Sequence, residues 1–319
     1  MANPSRHDLS SAPVTCDVAV ILRTLALLAF LLASPELCAQ QLEPRAYSPN
    51  PVGSHFVVVG LGESSGGVAL DPSLPIENVR GTTDVALAGY GQTFGLFGRV
   101  ASLALVLPYA NAAFDGDVFE TAHHVTRNGF GDLSMRFAVG LLGSPAVSLA
   151  EFMHRKPAPA LGVSVVAVAP TGQYFPDKLI NLGGNRWSFK PEVGFTWPAG
   201  AWDFELTAGI WFFMDNEDFF GGVVREQEPL TTTQAHVSYT FRPRLWLAAS
   251  WTYYTGGRTT VDSVRHADWQ SNQRYGITGS VPLWRTQSLK FSWSKGAATR
   301  IGSDFTTYSL AWQIGWFNK

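Results

Sequence analysis

Thiols are almost missing from this chain: of 319 residues only Cys16 and Cys38 carry one, and both lie near the start. Charge is scarce as well. Asp, Glu, Lys and Arg make up 15% of the residues, against about 25% in soluble domains. The formal net charge of -2 leaves no basic footprint for nucleic acid. Long apolar runs are missing beyond residues 18–33, so no later segment reaches the roughly 20 residues that a membrane-spanning helix needs. These absences exclude a disulfide scaffold, a nucleic-acid binder and a helical membrane protein. What is present is aromatic: Phe, Trp and Tyr make up 13% of the chain, at a mean hydropathy of only +0.05.

The stretch 18–33 is interrupted only by Arg23 and Thr24, and Ser34, Pro35 and Glu36 end it. That layout predicts a secretory signal over residues 1–39, with Arg23 as its charged region and cleavage after Ala39. The segment ahead of Arg23 is long for this role, which leaves open a translation start downstream of Met1. Cys38 has a competing reading as a lipidation site. Lipidation wants small residues directly before the cysteine, whereas Glu36 and Leu37 stand there. Cleavage after Ala39 removes both cysteines and with them all thiol chemistry.

Beyond the signal, apolar and polar residues alternate. Trp202, Phe204, Leu206, Ala208, Ile210 and Phe212 form one series, with Asp203, Glu205, Thr207 and Gly209 between them. Period two scatters apolar groups around a helix but gives a strand one oily and one wet face. Twelve segments read this way: 54–61, 82–92, 96–108, 130–142, 160–170, 186–197, 202–213, 232–241, 245–255, 274–283, 288–296 and 306–317. Most are close to the roughly 9–11 residues that a tilted strand needs to cross a bilayer, and their number is even. Tight connections at 93–95, 198–201, 242–244 and 284–287 alternate with long polar ones at 62–81, 109–129, 171–185, 214–231, 256–273 and 297–305. Short periplasmic turns opposite long extracellular loops are the expected asymmetry of an outer-membrane barrel. The exception is 143–159, a long connection on the short-turn side, for which a short helix around 148–155 is expected.

The fold class predicted is therefore all-β: a closed antiparallel transmembrane β-barrel of twelve strands over residues 54–317, in the bacterial outer membrane. A periplasmic segment, 40–53, precedes it and a short tail, 318–319, follows. Backbone groups in hydrocarbon must be paired, so the sheet has to close. Aromatics near strand ends (Trp187, Trp197, Trp202, Phe212, Phe213, Tyr253, Tyr254) fit girdles at headgroup level. The last strand presents Tyr308, Leu310, Trp312, Ile314 and Trp316 on one face, the kind of terminal strand that the barrel assembly machinery reads. Phe317, Asn318 and Lys319 follow this face, a slight departure from a terminal phenylalanine. A soluble β-sandwich also alternates, but it does not need strands this long or loops this one-sided.

The alternation points Asp132, Arg136, Lys190, Glu192, Asp203, Glu205, His236, Arg274 and Lys290 into the lumen. Asp203 and Glu205 follow Lys190 and Glu192 on the next strand, so ion pairs across that seam are expected. The bland alternative is that these charges only wet and brace the wall; the sharper one is a constriction that selects small solutes. The loops 171–185 and 214–231 hold apolar residues (Leu179, Ile180, Leu182, Phe219, Phe220) among charges. They suggest a gate that folds inward, with Asp177, Lys178, Arg186, Asp215, Glu217, Asp218, Phe219, Phe220, Arg258 and Asp262 as its candidates. The acidic run from Asp215 to Asp218 lacks EF-hand spacing, so solvated acidity is the default and neither a metal nor a cofactor is assigned.

Candidate catalytic sets are thin. His123 and His124 sit with Glu120 but lack a third ligand at recognisable spacing. The glycines of 62–67 are not followed by Gly-Lys-Ser/Thr, so they form no phosphate loop. A lipid-modifying enzyme of this architecture needs a nucleophilic Ser beside a lipid-facing His, whereas period two turns His236 inward. A structural barrel without an open path is the other alternative to a channel. The expected partners are outer-membrane lipids, a small-molecule solute and the assembly machinery, with the chain acting as a monomer.

Several segments resemble the outer-membrane proteins grouped as "putative MetA-pathway of phenol degradation". They are DPSLPIENV at 71–79, PTGQYFPDKLINLGGNRWSFKPEVGF at 170–195, WFFMDNEDFFGG at 211–222, REQEP at 225–229, YYTGGRTTVD at 253–262 and GSDF at 302–305. The resemblance spans nearly all of the chain after the signal. It implies an outer-membrane barrel that takes up small aromatic or otherwise apolar compounds, and it offers no catalytic residues to carry over. Its recurrent segments coincide mainly with the long loops and adjoining strand ends, consistent with a gate or binding mouth.

Overall fold

Each segment with an oily face and a wet face becomes one stave of a sheet that closes on itself. The computed structural model describes residues 42–69, 76–118, 121–178 and 180–318; the expected signal lies outside them. The wall runs through β1 (Ser54–Ala69), β2 (Ile76–Leu96), β3 (Arg99–Val118), β4 (Thr121–Phe130) with β5 (Leu133–Leu142), β6 (Ala160–Ala169), β7 (Ser188–Ala199) and β8 (Trp202–Phe213). It continues through β11 (Leu230–Arg242), β12 (Leu245–Gly256), β15 (Gln270–Pro282), β16 (Gln287–Ala298) and β17 (Gly302–Phe317). β4 and β5 both pair with β3 and act as one stave broken at Gly131 and Asp132, so the staves number twelve. β1 pairs antiparallel with β17 and β2 with β3, which closes the cylinder.

β8 shows why the alternation works. Leu206 is 54% exposed on the outside, while Glu205 and Thr207 on either side are each 6% exposed within. Phe204, Ile210, Phe212, Val237, Leu247, Ile277, Phe291 and Leu310 continue that oily exterior. Hydrocarbon is the solvent that such a surface requires. Outward aromatic pairs ring both rims. Trp202 packs edge-on against Tyr239 at 4.8 Å at the short-turn rim, and Tyr109 against Phe130 at 5.2 Å at the loop rim. The tight turns use left-handed backbone, with Gly98 and Gly200 at φ +74° and +67°, values open to glycine without a Cβ clash.

All twelve expected strands are present, but four of the connections differ from expectation. The segments 62–81 and 109–129, read as polar loops, are largely strand: the ladders between β1, β2, β3 and β4 continue to Ala69, Ile76, Val118 and Thr121. The exposed positions there carry polar groups such as Arg80 and Thr82, while Val79, Thr83 and Ala112 between or across from them are buried, so the oily alternation disappears while backbone pairing persists. His124 lies there, on an exposed face, bonded to Asp115 across the β3–β4 pair at 2.6 Å. The connection 143–159 holds the expected short helix, α1 (Leu149–Met153), started by a capping box between Ser148 and Glu151. Finally, the loops 214–231 and 256–273 contribute β9 (Asn216–Phe219), β10 (Val223–Gln227), β13 (Thr259–Val261) and β14 (Val264–Arg265). These pair into a separate four-stranded sheet.

Candidate functional site

The lumen has two unlike ends. At the short-turn end, part of the N-terminal segment turns inward, where the sequence indicated only a periplasmic stretch. Arg45 donates from its guanidinium to Asp203 at 2.8 Å and from Nε to Ser238 at 3.1 Å, and its backbone N–H donates to Glu205. It also lies over the Trp246 ring at 4.8 Å. Tyr47 reaches the adjoining staves β6 and β7, where its hydroxyl meets Ser164 at 2.8 Å and donates to Glu192 at 2.9 Å. Its ring fits because Gly162 and Gly194, partners across β6 and β7, carry no side chain. A Cβ on Gly194 would come within 2.1 Å of that ring. Burial first, then the Glu192 charge, raises the Tyr47 phenol to about 12, so it stays a neutral donor.

The inward charges assort around this segment rather than across the expected seam. Lys190 pairs with Glu192 of its own strand at 3.0 Å, and Arg136 approaches Glu192 at 3.7 Å while covering the Tyr47 ring at 4.7 Å. Asp203 and Glu205 answer to Arg45 instead, because the register sets Glu205 against Thr196 and places Glu192 opposite Gly209. Thr196 adds a hydroxyl donor to Glu205 at 3.2 Å. Lys290 sits 5.8 Å from the Trp246 ring.

Two sequence candidates, Arg274 and Asp132, stand apart from this group, while His236 sits within it as the register partner of Glu205. Arg274 braces the wall, bonded to Ser294, the Phe305 carbonyl at 2.9 Å and Thr307 at 2.8 Å. His236 faces inward, with Nδ1 2.8 Å from the Ser250 hydroxyl. Asp132 is a latch at the break between β4 and β5. Its carboxylate accepts backbone N–H groups from Gly172 at 2.8 Å and Gly184 at 2.7 Å, which ties the 170–187 connection to the wall.

The loop end holds an apolar layer. Val168, Trp211, Leu230 and Tyr254 form a buried layer, with Val166 and Phe213 against it. The four-stranded loop sheet has its own small core, Phe219 and Val261 backed by Phe220 and Val223. Arg186 packs its guanidinium over Phe213 at 4.7 Å and donates to Gln227, whose amide in turn reaches the Gly257 carbonyl at 3.1 Å. Buried Asn216 joins the loops, accepting from Asn185 at 2.9 Å and donating to Tyr174 at 2.9 Å.

Of the expected gate residues, Arg186, Phe219 and Phe220 come together here. Arg258 lies over Trp269 at 5.5 Å, and Asp262 makes the left-handed turn between β13 and β14. Asp177, Lys178, Asp215, Glu217 and Asp218 are exposed instead, with Asp177 and Lys178 paired to each other at 2.8 Å. Sequence reasoning missed Arg45, Tyr47, Trp211, Asn216 and Arg225. The inward glycines at 162 and 194 were the available signal for the Tyr47 slot.

A crystallised outer membrane channel from Pseudomonas putida F1 shares the fold at a TM-score of 0.75, with 22% identity over 86% of this chain and 100% of that one. The transport unit of the autotransporter AIDA-I from Escherichia coli is less similar, at a TM-score of 0.46 and 13% identity over 93% of this chain and 98% of that one. The CymD monoaromatic hydrocarbon channel stands at a TM-score of 0.44, with 7% identity over 84% and 90% of the two chains. No curated protein matches the sequence. The family described as "Putative MetA-pathway of phenol degradation" matches residues 54–316, and the chain belongs to it.

Proposed function

We propose that this barrel is an outer-membrane channel for small apolar or aromatic solutes, closed at both ends in the state described above. The observation that carries the reading is the buried layer of Val168, Trp211, Leu230 and Tyr254, with Phe213 packed against it, inside a closed wall, where a general porin keeps polar, water-filled space. Twelve staves enclose a narrower bore than the 16–18 strands of general porins. The N-terminal segment narrows it further through hydrogen bonds and ion pairs that water can replace. On this reading Arg136, Lys190, Glu192, Asp203, Glu205 and Lys290 form a constriction whose central ligand is the chain's own Arg45–Tyr47 stretch. The loop sheet forms the outer lid.

A lipid-modifying enzyme is less well supported, because His236 and its Ser250 partner look into the lumen rather than at lipid. One barrel encloses its own path, which favours a monomer. The test is single-channel recording on the refolded chain, followed by flux of benzyl alcohol into proteoliposomes. Stepwise current with flux above protein-free vesicles is expected. Silence in both assays would return the protein to the class of sealed structural barrels.

A further inference from the structure

Two buried donors go unanswered beneath the loop sheet. Arg186, just ahead of β7, is 4% exposed; its Nη1 has no hydrogen-bond partner among the described residues. No carboxylate lies within ion-pair distance of it among those residues. Trp211, 3% exposed, stacks on Phe213 at 6.3 Å and likewise leaves Nε1 without a partner among the described residues. The cation and the indole thus flank one ring, since Arg186 covers Phe213 at 4.7 Å. More positive charge gathers there: Lys190 lies 5.3 Å from the Trp211 ring, and buried Arg225 of β10 acts on Arg186 electrostatically, opposed at longer range by the exposed Asp215 carboxylate. A buried guanidinium without a carboxylate in contact is unfavourable, and native proteins rarely leave buried donors unmade.

We infer that this roof is an oxyanion subsite, which takes the carboxylate of a small aromatic or apolar acid on Arg186 while Phe213, Trp211 and the Leu230 layer hold its hydrocarbon body. The inference rests on the channel reading and deepens it by naming the solute class. Guanidinium is the side chain best suited to a planar carboxylate, which it grips with a fork of N–H groups. Both donors are covered in the closed state, so the acid reaches them when the β9–β10 roof lifts. Once bound, it supplies the partner that the closed state lacks.

The test uses the full chain purified in non-ionic detergent and two probes with the same ring, benzoate and benzyl alcohol, titrated by tryptophan fluorescence and calorimetry. Benzoate is expected to bind about tenfold or more tightly than the alcohol, the scale of a charge-assisted hydrogen bond. It is also expected to raise the thermal midpoint. Arg186→Gln is expected to bring the affinity ratio of the two probes close to one. Trp211→Phe, which keeps a ring and removes the N–H, is expected to lower it severalfold. If circular dichroism shows that Arg186→Gln does not fold, Arg186→Lys replaces it, with a ratio reduced but not abolished because the charge remains without the fork. Equal affinities in the wild-type chain, or a ratio unchanged by the Arg186 substitutions, would overturn the inference and leave Arg186 as a brace between Phe213 and Gln227. Flux of benzyl alcohol without benzoate preference defeats only this inference. Benzoate preference without flux supports the subsite and defeats only the channel reading.

Discussion

The two halves of the lumen solve closure in opposite ways. Around the N-terminal segment nearly every charge has an answer: Arg45 with Asp203, Glu192 with Lys190 and Tyr47, and Glu205 with a backbone N–H and Thr196. Under the loop sheet an aromatic and aliphatic layer packs beside buried Arg186, Asn216 and Arg225, and no carboxylate forms an ion pair with Arg186 among the described residues. The ionic half is held by contacts that water can take over one at a time, so it is suited to reversible opening. Burial holds the apolar half, and what replaces its side chains must itself be apolar. The difference separates an ionic closure that yields to water from an apolar closure that also sets what travels along the path.

The sharpest way to break this division is to remove the ionic closure. Deleting residues 42–53 is expected to give the largest change, a severalfold rise in single-channel conductance with the barrel still folded by circular dichroism. Unchanged conductance would mean that the constriction lies elsewhere. Arg45→Ala should act in the same direction. Losing the contact to Asp203 alone, about 1.5–3 kcal/mol, shifts the closed-to-open balance by roughly tenfold or more, and the bonds to Ser238 and Thr240 go with it. Glu205→Ala is expected to change conductance and ion preference more than thermal stability, and Gly194→Val should expel the Tyr47 ring and open the same path.

On the apolar side the expected effect is on selection. Trp211→Ala should leave basal ionic current near wild type while reducing uptake of benzyl alcohol. It should also cost about 3–5 kcal/mol of stability if the layer cannot collapse, read from denaturant unfolding. A rise in current matching that of Arg45→Ala would erase the distinction between the halves. Smaller again is Asp132→Asn, which weakens the latch on the 170–187 connection by about 1–3 kcal/mol. Faster proteolytic nicking of that connection is the expected readout. As a control on the wall itself, cysteines placed at Phe204 and Phe291 should resist a water-soluble maleimide in liposomes, since both side chains face outward in the oily belt.

The wall was legible because lipid imposes a rule on every second residue: Trp202 to Phe213 reads as β8 to the residue, and the remaining strands differ mainly at their ends. Where that solvent stops, so does the rule, which is why 109–129 looked like a loop although β3 and β4 pair along it. The inward set was legible as a set but not as partnerships. Which carboxylate meets which cation depends on register and on a segment, around Arg45, that carries no periodic signal of its own. The loop sheet was partly foreshadowed by Phe219 and Phe220, whose exposure would be unfavourable. Asn216 and Arg225 gave no warning, since their burial depends on loops far apart in sequence.

Closure between β1 and β17 has a consequence for manufacture. The 16 residue pairs from Ser54↔Phe317 to Ala69↔Gly302 join the first stave to the last, so none of them can form until the final residues of the chain have been made. A truncated product ending before Gly302 would carry two raw sheet edges instead of none, and unpaired edges invite aggregation. The cylinder therefore cannot be completed from one end, and quality control of the whole molecule rests on its last sixteen-residue strand.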